Sequence, residues 1–234
     1  MDDDQHRLDF EKLLRERLVP EFCSDAGRSM HPSGFKRSPE KLSAVDCRYF
    51  LLAWTTGLIQ HIGRGQYNAP LSAAREQFFN SGPRATKDRI FFLAFESVIT
   101  VGGLARLHFD HRWPRHLLGA QSKGYAFDLA AHVDPLGPMH IACEVKKTNA
   151  EIDTLIRHMC ELGRQPNANV PSNDRRRNAF KKVTALRRDR PPIFWALGPG
   201  GQGQAFAVHY DGDMIEFRSG SKAMLTFPNT TLCT

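Results

Sequence analysis

Apolar positions change their period near the middle of the chain. In the first hundred residues the spacing is helical: Phe10, Leu13, Leu14 and Leu18 recur three and four residues apart, and Ser38-Pro39-Glu40 reads as a cap with proline at the first helical position. The helix so predicted runs through KLSAVDCRYFLLAWTTGLIQHI and ends at Gly63 and Gly65. A short helix is predicted near LSAAREQFF. After the break at Ser81-Gly82-Pro83 a long one follows from about Lys87 to Arg106, with Gly102 and Gly103 weakening its end. Beyond that point alternation takes over. RLHFDHRW, YAFDLAAHV, HIACEVKKT, PIFWALG and AFAVHY read as strands, while AEIDTLIRHMCEL places Ile152, Leu155, Ile156, Met159 and Leu162 on one helical face. Asp134-Pro135-Leu136-Gly137-Pro138 predicts a hairpin between the second and third strands, and Asp211-Gly212 a hairpin from AFAVHY to DMIEFR. The pattern gives a helical N-terminal region over 1–85, and an α/β domain over 86–234 in the order helix, three strands, helix, two strands. Tyr49, Phe50, Trp54 and Leu58 read as core of the N-terminal region, whose role in recognition, dimerisation or partner docking stays open.

Composition adds a core and a location for the charge. A chain of 234 residues that is 41% hydrophobic can bury a sizeable core. No stretch reaches the length of a membrane span and MDDDQHRLDF is acidic and polar, so a soluble cytoplasmic protein with neither signal peptide nor membrane contact is expected. Five widely spaced cysteines without a C-x-x-C are expected to be free thiols. Between Arg164 and Arg190 lie nine Lys or Arg and two acids, which account for the whole net charge of +7. Such a patch is the footprint of a polyanion partner, with a solvated helix face as the bland alternative. Phe180, Val183 and Leu186 are helically spaced within it, so a docked helix is expected to turn Arg175, Arg176, Arg177, Lys181, Lys182, Arg187 and Arg188 toward phosphates.

One pair of strands carries chemistry. In YAFDLAAHV alternation puts Tyr125, Phe127, Leu129 and Val133 on one side and Asp128 on the other with Ala126, Ala130 and His132. In HIACEVKKT, Ile141, Cys143 and Val145 point inward, with Ala142, Glu144 and Lys146 opposite. A hairpin within 134–138 then brings Asp128 near Glu144, flanked by alanines that leave room above them. Two neighbouring carboxylates repel unless a cation lies between them, and Mg²⁺ or Mn²⁺ suits oxygen ligands together with substrate phosphate. Lys146 beside such an ion could orient or deprotonate a water, which assembles the parts for phosphodiester hydrolysis.

Asp128, then fifteen residues, then Glu144-Val145-Lys146 resembles the PD-(D/E)xK nuclease superfamily, the restriction-endonuclease-like fold, over about residues 87–210. The resemblance implies an αβββαβ core with a mixed central sheet, the acid on its second strand and E-x-K on its third. It implies Asp128 and Glu144 as metal ligands with the Val145 carbonyl a third, Lys146 as the catalytic lysine and Glu96, on the first core helix, as an accessory group. It also implies DNA as substrate, in restriction, phage defence, mobile-element biology or repair, and a homodimer or partner subunit is compatible with cutting two strands. Phe127 stands where the family has proline. The rival is a non-catalytic nucleic-acid- or partner-binding module that keeps the fold.

Other features carry less. His108, His111 and His116 with Asp110 match no zinc spacing, and with Arg106, Arg112 and Arg115 they could instead follow a phosphate backbone, as could Lys123-Gly124. GPGGQGQ (198–204) lacks the Gly-Lys-Ser/Thr of a phosphate loop and reads as a flexible turn.

Overall fold

Phe10, Leu14, Leu18 and Phe22 are all buried at strict four-residue intervals, and the first element is built around that repeat. In a regular α-helix each such step drifts the stripe by about 40°. The computed structural model, which describes residues 3–24, 30–36, 42–82 and 89–228, shows α1 (Asp3–Leu13) passing through a π-helical stretch (Leu14–Leu18) into α2 (Val19–Cys23). The wider turn of the π segment reduces the drift and keeps one face on the core. After β1 (Phe35–Lys36) comes α3 (Ala44–Thr55), capped by Ser43, whose hydroxyl accepts from Asp46 N at 3.0 Å. The expected cap at Ser38-Pro39-Glu40 lies outside the described residues.

Between α3 and the α/β part the chain forms strands where helix was expected. They are β2 (Gln60–Gly63), β3 (Gln66–Asn68), β4 (Glu76–Gln77), β5 (Phe79–Ser81) and β6 (Phe91–Leu93). Gly63, Arg64 and Gly65 have φ of 85°, 58° and 67°, the left-handed values of a tight hairpin, so the glycines read as a helix end turn a strand back on itself. LSAAREQFF is not helical, because Phe78 and Phe79 are both fully committed to the core from an extended backbone. Two three-stranded sheets result, β2-β3-β4 and β1-β6-β5.

The α/β part comprises α4 (Phe95–Phe109), β7 (Leu118–Ala120), β8 (Leu129–His132), β9 (Met139–Val145), α5 (Asn149–Gly163), α6 (Asp174–Asp189), β10 (Ile193–Leu197), β11 (Gly203–Asp211) and β12 (Met214–Gly220). Its sheet has the order β12-β11-β10-β9-β8-β7, with β9 and β10 parallel and every other neighbouring pair antiparallel. Both predicted hairpins form. The predicted strand RLHFDHRW is instead the last turn of α4 and the turn after it, since Leu104 and Leu107 are buried at helical spacing, and the first strand is β7. Gly102 and Gly103 lie inside α4. A Cβ on Gly103 would come within 2.7 Å of the Leu197 side chain, so the glycine lets the helix sit close to the sheet.

Both faces of this sheet are buried, whereas one core side was expected. Leu129, Ala131, Ile141, Cys143 and Val145 join α4 and the N-terminal elements in one apolar cluster that reaches from Phe10 to Leu225. Ala130, Ala142, Phe194 and Ala196 face a second cluster under α5 and α6. The expected division at 85/86 falls within a stretch outside the described residues, and the first cluster draws on both sides of it. Cys23, Cys47, Cys143 and Cys160 are free thiols, and Cys233 lies outside the described residues. Among the described residues no helix is long and apolar enough to cross a membrane.

The glycine-rich segment is pinned in place. Asp46, 1% exposed, accepts from Gly200 N and from the Ser43 hydroxyl, both at 2.7 Å. Arg106 stacks over Tyr49 at 4.0 Å and lies 3.9 Å from Asp46. The Tyr49 hydroxyl donates to Asp110 at 2.6 Å, so Arg106 and Asp110 of the RLHFDHRW segment form part of a clamp between α3, α4 and the 198–204 turn.

Candidate active site

The ladder between β8 and β9 pairs Leu129 with Cys143, so the next position along sets Asp128 across from Glu144 at the mouth of the sheet. Asp128 sits just before β8, held by its own environment: its Oδ2 accepts from Val145 N at 2.8 Å. Glu144 is on the face toward α6 and is only 2% exposed. Its Oε1 accepts from the Lys146 ammonium at 2.8 Å, and the same ammonium donates to the Val145 carbonyl at 3.0 Å. Glu96, in the first turn of α4, places its carboxylate 3.9 Å from Lys146. The four residues expected at the site are therefore brought together by three elements, α4, the start of β8 and the end of β9.

Lys182 joins them. It was expected on the phosphate-facing side of α6. It is instead 7% exposed, with its ammonium 2.5 Å from Glu144 Oε2 and donating to the Ala126 carbonyl. The Lys182 ammonium thus neutralises Glu144 Oε2 in a buried ion pair, so each carboxylate oxygen of Glu144 has its own ammonium. The helix carries Ala179, Val183 and Leu186 into the core, and Lys182 lies within that stripe.

The charges act on one another strongly. Burial, with the neighbouring Glu144 charge, pushes the Asp128 carboxyl up to about 7, against the weaker pull of Lys182, Lys146 and the Val145 amide. For Glu144 burial acts the same way, but Lys182 and Lys146 outweigh it and hold the carboxyl below its ordinary value. Burial alone would lower the Lys146 ammonium; Glu144, Glu96 and Asp128 reverse this and raise it to about 12. Burial raises Glu96, which Lys146 partly offsets. The site is thus one firmly ionised glutamate between two ammonium groups, beside an aspartate that titrates near neutrality.

The sign of the Asp128 shift gives a prediction for the metal-free protein. A carboxyl whose native pKa is raised from 3.8 to about 7 favours the fold fully below its unfolded value and loses that contribution as pH rises through 7. Asp128→Asn removes the charge, so it should be no more stable than wild type near pH 4 but more stable by about 2 kcal/mol or more near pH 8. Urea denaturation in chelator at the two pH values measures this, and a variant no more stable at the higher pH would refute it.

Two cavities flank the constellation. One, of about 540 Å³, lies on the α4 side and is lined by Asp128, Glu96, Gln121 and Lys147, with Glu76, Gln77, Asn80 and Phe92 of the N-terminal strands as its far wall. The other, of about 390 Å³, is a groove between α5 and α6 lined by Lys146, Thr148, Thr154, His158, Arg175 and Asn178. The wall that β4, β5 and β6 raise over Asp128 was not foreseen from the sequence, which left the N-terminal region without a place in the site.

The remaining basic residues of α6 divide. Lys181 is exposed and Arg175 faces the α5–α6 groove. Arg176 lies 3.6 Å from Glu161, Arg177 donates to the Pro171 and Ser172 carbonyls, and Arg188 pairs with Asp189 at 2.6 Å. Arg187 donates to the carbonyls of Leu162, Gln165 and Asp213, closing the end of α5. Much of the expected phosphate-facing row is therefore engaged within the fold.

Whether these residues suit a divalent cation can be judged from the donors. Asp128 and Glu144 offer carboxylate oxygens, and the Val145 carbonyl adds a third hard oxygen. The raised Asp128 carboxyl marks a place where added positive charge is favourable. The donor set fits Mg²⁺ or Mn²⁺, with Lys146 and Lys182 as competitors for Glu144. Among the described residues no group of three or more His, Cys, Asp or Glu is gathered for a metal. Comparison with protein-family models, with curated proteins and with solved structures found no match for the chain.

Proposed function

We propose that this chain is a Mg²⁺- or Mn²⁺-dependent nuclease of the PD-(D/E)xK type that hydrolyses phosphodiester bonds in DNA. One observation carries the reading: Asp128, Glu144 and Lys146 converge at one point of the sheet, from strand ends that neighbour each other. The element order α4, β7, β8, β9, α5 with α6, then β10 supports it, since it follows the αβββαβ pattern that the resemblance implies. Asp128, Glu144 and the Val145 carbonyl would hold the cation, whose chemistry is to polarise a phosphate oxygen and acidify a water. Lys146 then contributes an ammonium, set by Glu144 and Glu96, that can orient the attacking water or meet charge developing on the phosphate. Arg175, with His158 and Asn178, lines a groove leading away from Lys146 that could receive the phosphates of the bound strand, against one carboxylate, Glu151. Restriction, phage defence, mobile-element biology or repair is the setting this chemistry fits, and a two-fold pair of chains would place two such sites on a duplex.

A second reading is favoured by a specific feature. Glu144 is already neutralised by Lys146 and Lys182, as in a binding module that needs no metal. Incubating the purified protein with supercoiled plasmid, with Mg²⁺, with Mn²⁺ and with chelator, separates the two. Metal-dependent nicking or linearisation is expected; plasmid retarded on a gel but intact in both metals would move the assignment to the binding module.

A further inference from the structure

The small sheet β1-β6-β5 covers the site from the N-terminal side, and its register sorts its residues into two faces. Phe35 pairs with Phe91 and Phe79 with Leu93, and the three phenylalanines, with Phe22, form an aromatic cluster on the inner face. Alternation then turns the intervening position of each strand outward. Lys36 pairs with Phe92 on one side and Asn80 pairs with Phe92 on the other. A cation, an aromatic ring and an amide thus stand side by side across three neighbouring strands. At the usual strand spacing the row is about 10 Å wide, the scale of one nucleotide. Phe92 is 37% exposed, while Phe91 beside it is fully buried. Asn80 and Phe92 form part of the wall of the 540 Å³ cleft whose opposite side carries Asp128, and Gln77 and Gln121 line it as well.

We infer that this cleft takes an unpaired nucleobase, stacked on Phe92 with its edge toward the amides of Asn80, Gln77 and Gln121 and with Lys36 against a flanking phosphate. The inference rests on the nuclease reading for the position of the scissile bond, and it names the substrate class: single-stranded or locally unpaired nucleic acid. A base inside a duplex has both faces covered and cannot reach a ring set into a cleft. The charge of the cleft agrees. Away from Asp128, Glu76 and Glu96 outweigh Lys147 and oppose a phosphate, whereas carboxylate and amide oxygens accept hydrogen bonds from base amino and imino groups. Aromatic stacking contributes affinity whatever the base, and amide side chains add hydrogen bonds along its edge.

The test is fluorescence anisotropy in chelator, so that nothing is cleaved, using a labelled oligothymidine and a hairpin duplex of equal length. Wild type is expected to bind the single strand more tightly than the duplex. Phe92→Ala should lose roughly tenfold of single-strand affinity and leave duplex binding unchanged, while Phe92→Tyr keeps the wild-type value. Oligomers with one abasic position, placed at each site in turn, should include one that weakens wild type about as much and does not weaken Phe92→Ala further. Equal affinity for strand and duplex, or the absence of an abasic penalty in wild type, overturns the inference without needing any variant to fold. Cleavage is scored separately in Mg²⁺. Absence of cleavage with this binding pattern intact would remove the nuclease reading and keep the base site, and cleavage without Phe92 dependence would do the reverse.

Discussion

Lys146→Ala is expected to slow Mg²⁺-dependent nicking of plasmid by about 100-fold or more while binding Mn²⁺ at least as tightly as wild type. The two effects run in opposite directions for one reason. In the metal-free site the Lys146 ammonium lies on Glu144 Oε1 and the Val145 carbonyl, two of the oxygens a cation would use, and with a pKa raised to about 12 it is charged at any working pH. Removing it clears a competitor for the cation and also removes the group placed to act on water or phosphate. Nicking rates at saturating Mg²⁺ and calorimetry with Mn²⁺ measure both. A variant that nicks within a few-fold of wild type would exclude Lys146 from the chemistry. Unchanged cleavage with weakened metal binding would make Lys146 a structural prop of the carboxylates.

The second large effect concerns stability. Lys182→Met is expected to cost about 3 kcal/mol, because it leaves a buried Glu144 with one counter-charge where the fold supplies two. Glu144→Gln should cost a similar amount, since it strands the Lys182 ammonium among the Ala126 carbonyl and apolar neighbours. The double variant should be far less damaged than the two losses added together, as neither charge then lacks its partner. Urea denaturation of the four proteins gives the coupling, expected above about 1 kcal/mol. Additive losses would mean that the two groups do not depend on each other, and Lys182 would return to being an ordinary residue of α6.

How much of this was legible before the fold was known depends on the range of the interaction involved. The hairpin from 134 to 138 and the helix over AEIDTLIRHMCEL are governed by turn residues and by apolar period, both local, and both formed as expected. The meeting of Asp128 with Glu144 followed from that hairpin, because alternation and a short turn constrain which side chains can face each other. Lys182 had a local signal that went unused: between Ala179 and Leu186 it lies on the buried stripe of its helix, and a lysine there needs an anion. The strands β2 to β6 were misread because Phe79 and Phe91 pack on Phe22 and Phe35, and Phe78 on Phe50, all of which arrive from distant segments.

The sequence by itself determined the helix and hairpins of the second half, the confinement of excess charge to 164–190, and an E-x-K at the end of one strand with an acid opposite it. These depend on neighbours a few residues apart, whose geometry is set by backbone sterics and hydrogen bonding. The change to alternation was read near residue 100 although strands already form between Gln60 and Leu93, and the acid falls just before its strand and not within it. Tertiary structure alone decided that both faces of the main sheet are covered, that Lys182 is turned inward onto Glu144, that Asp128 titrates near 7, and that the N-terminal strands wall the cleft above it. Burial and charge at a point sum over every segment that reaches it, and here the segments come from between Glu76 and Lys182 of one chain.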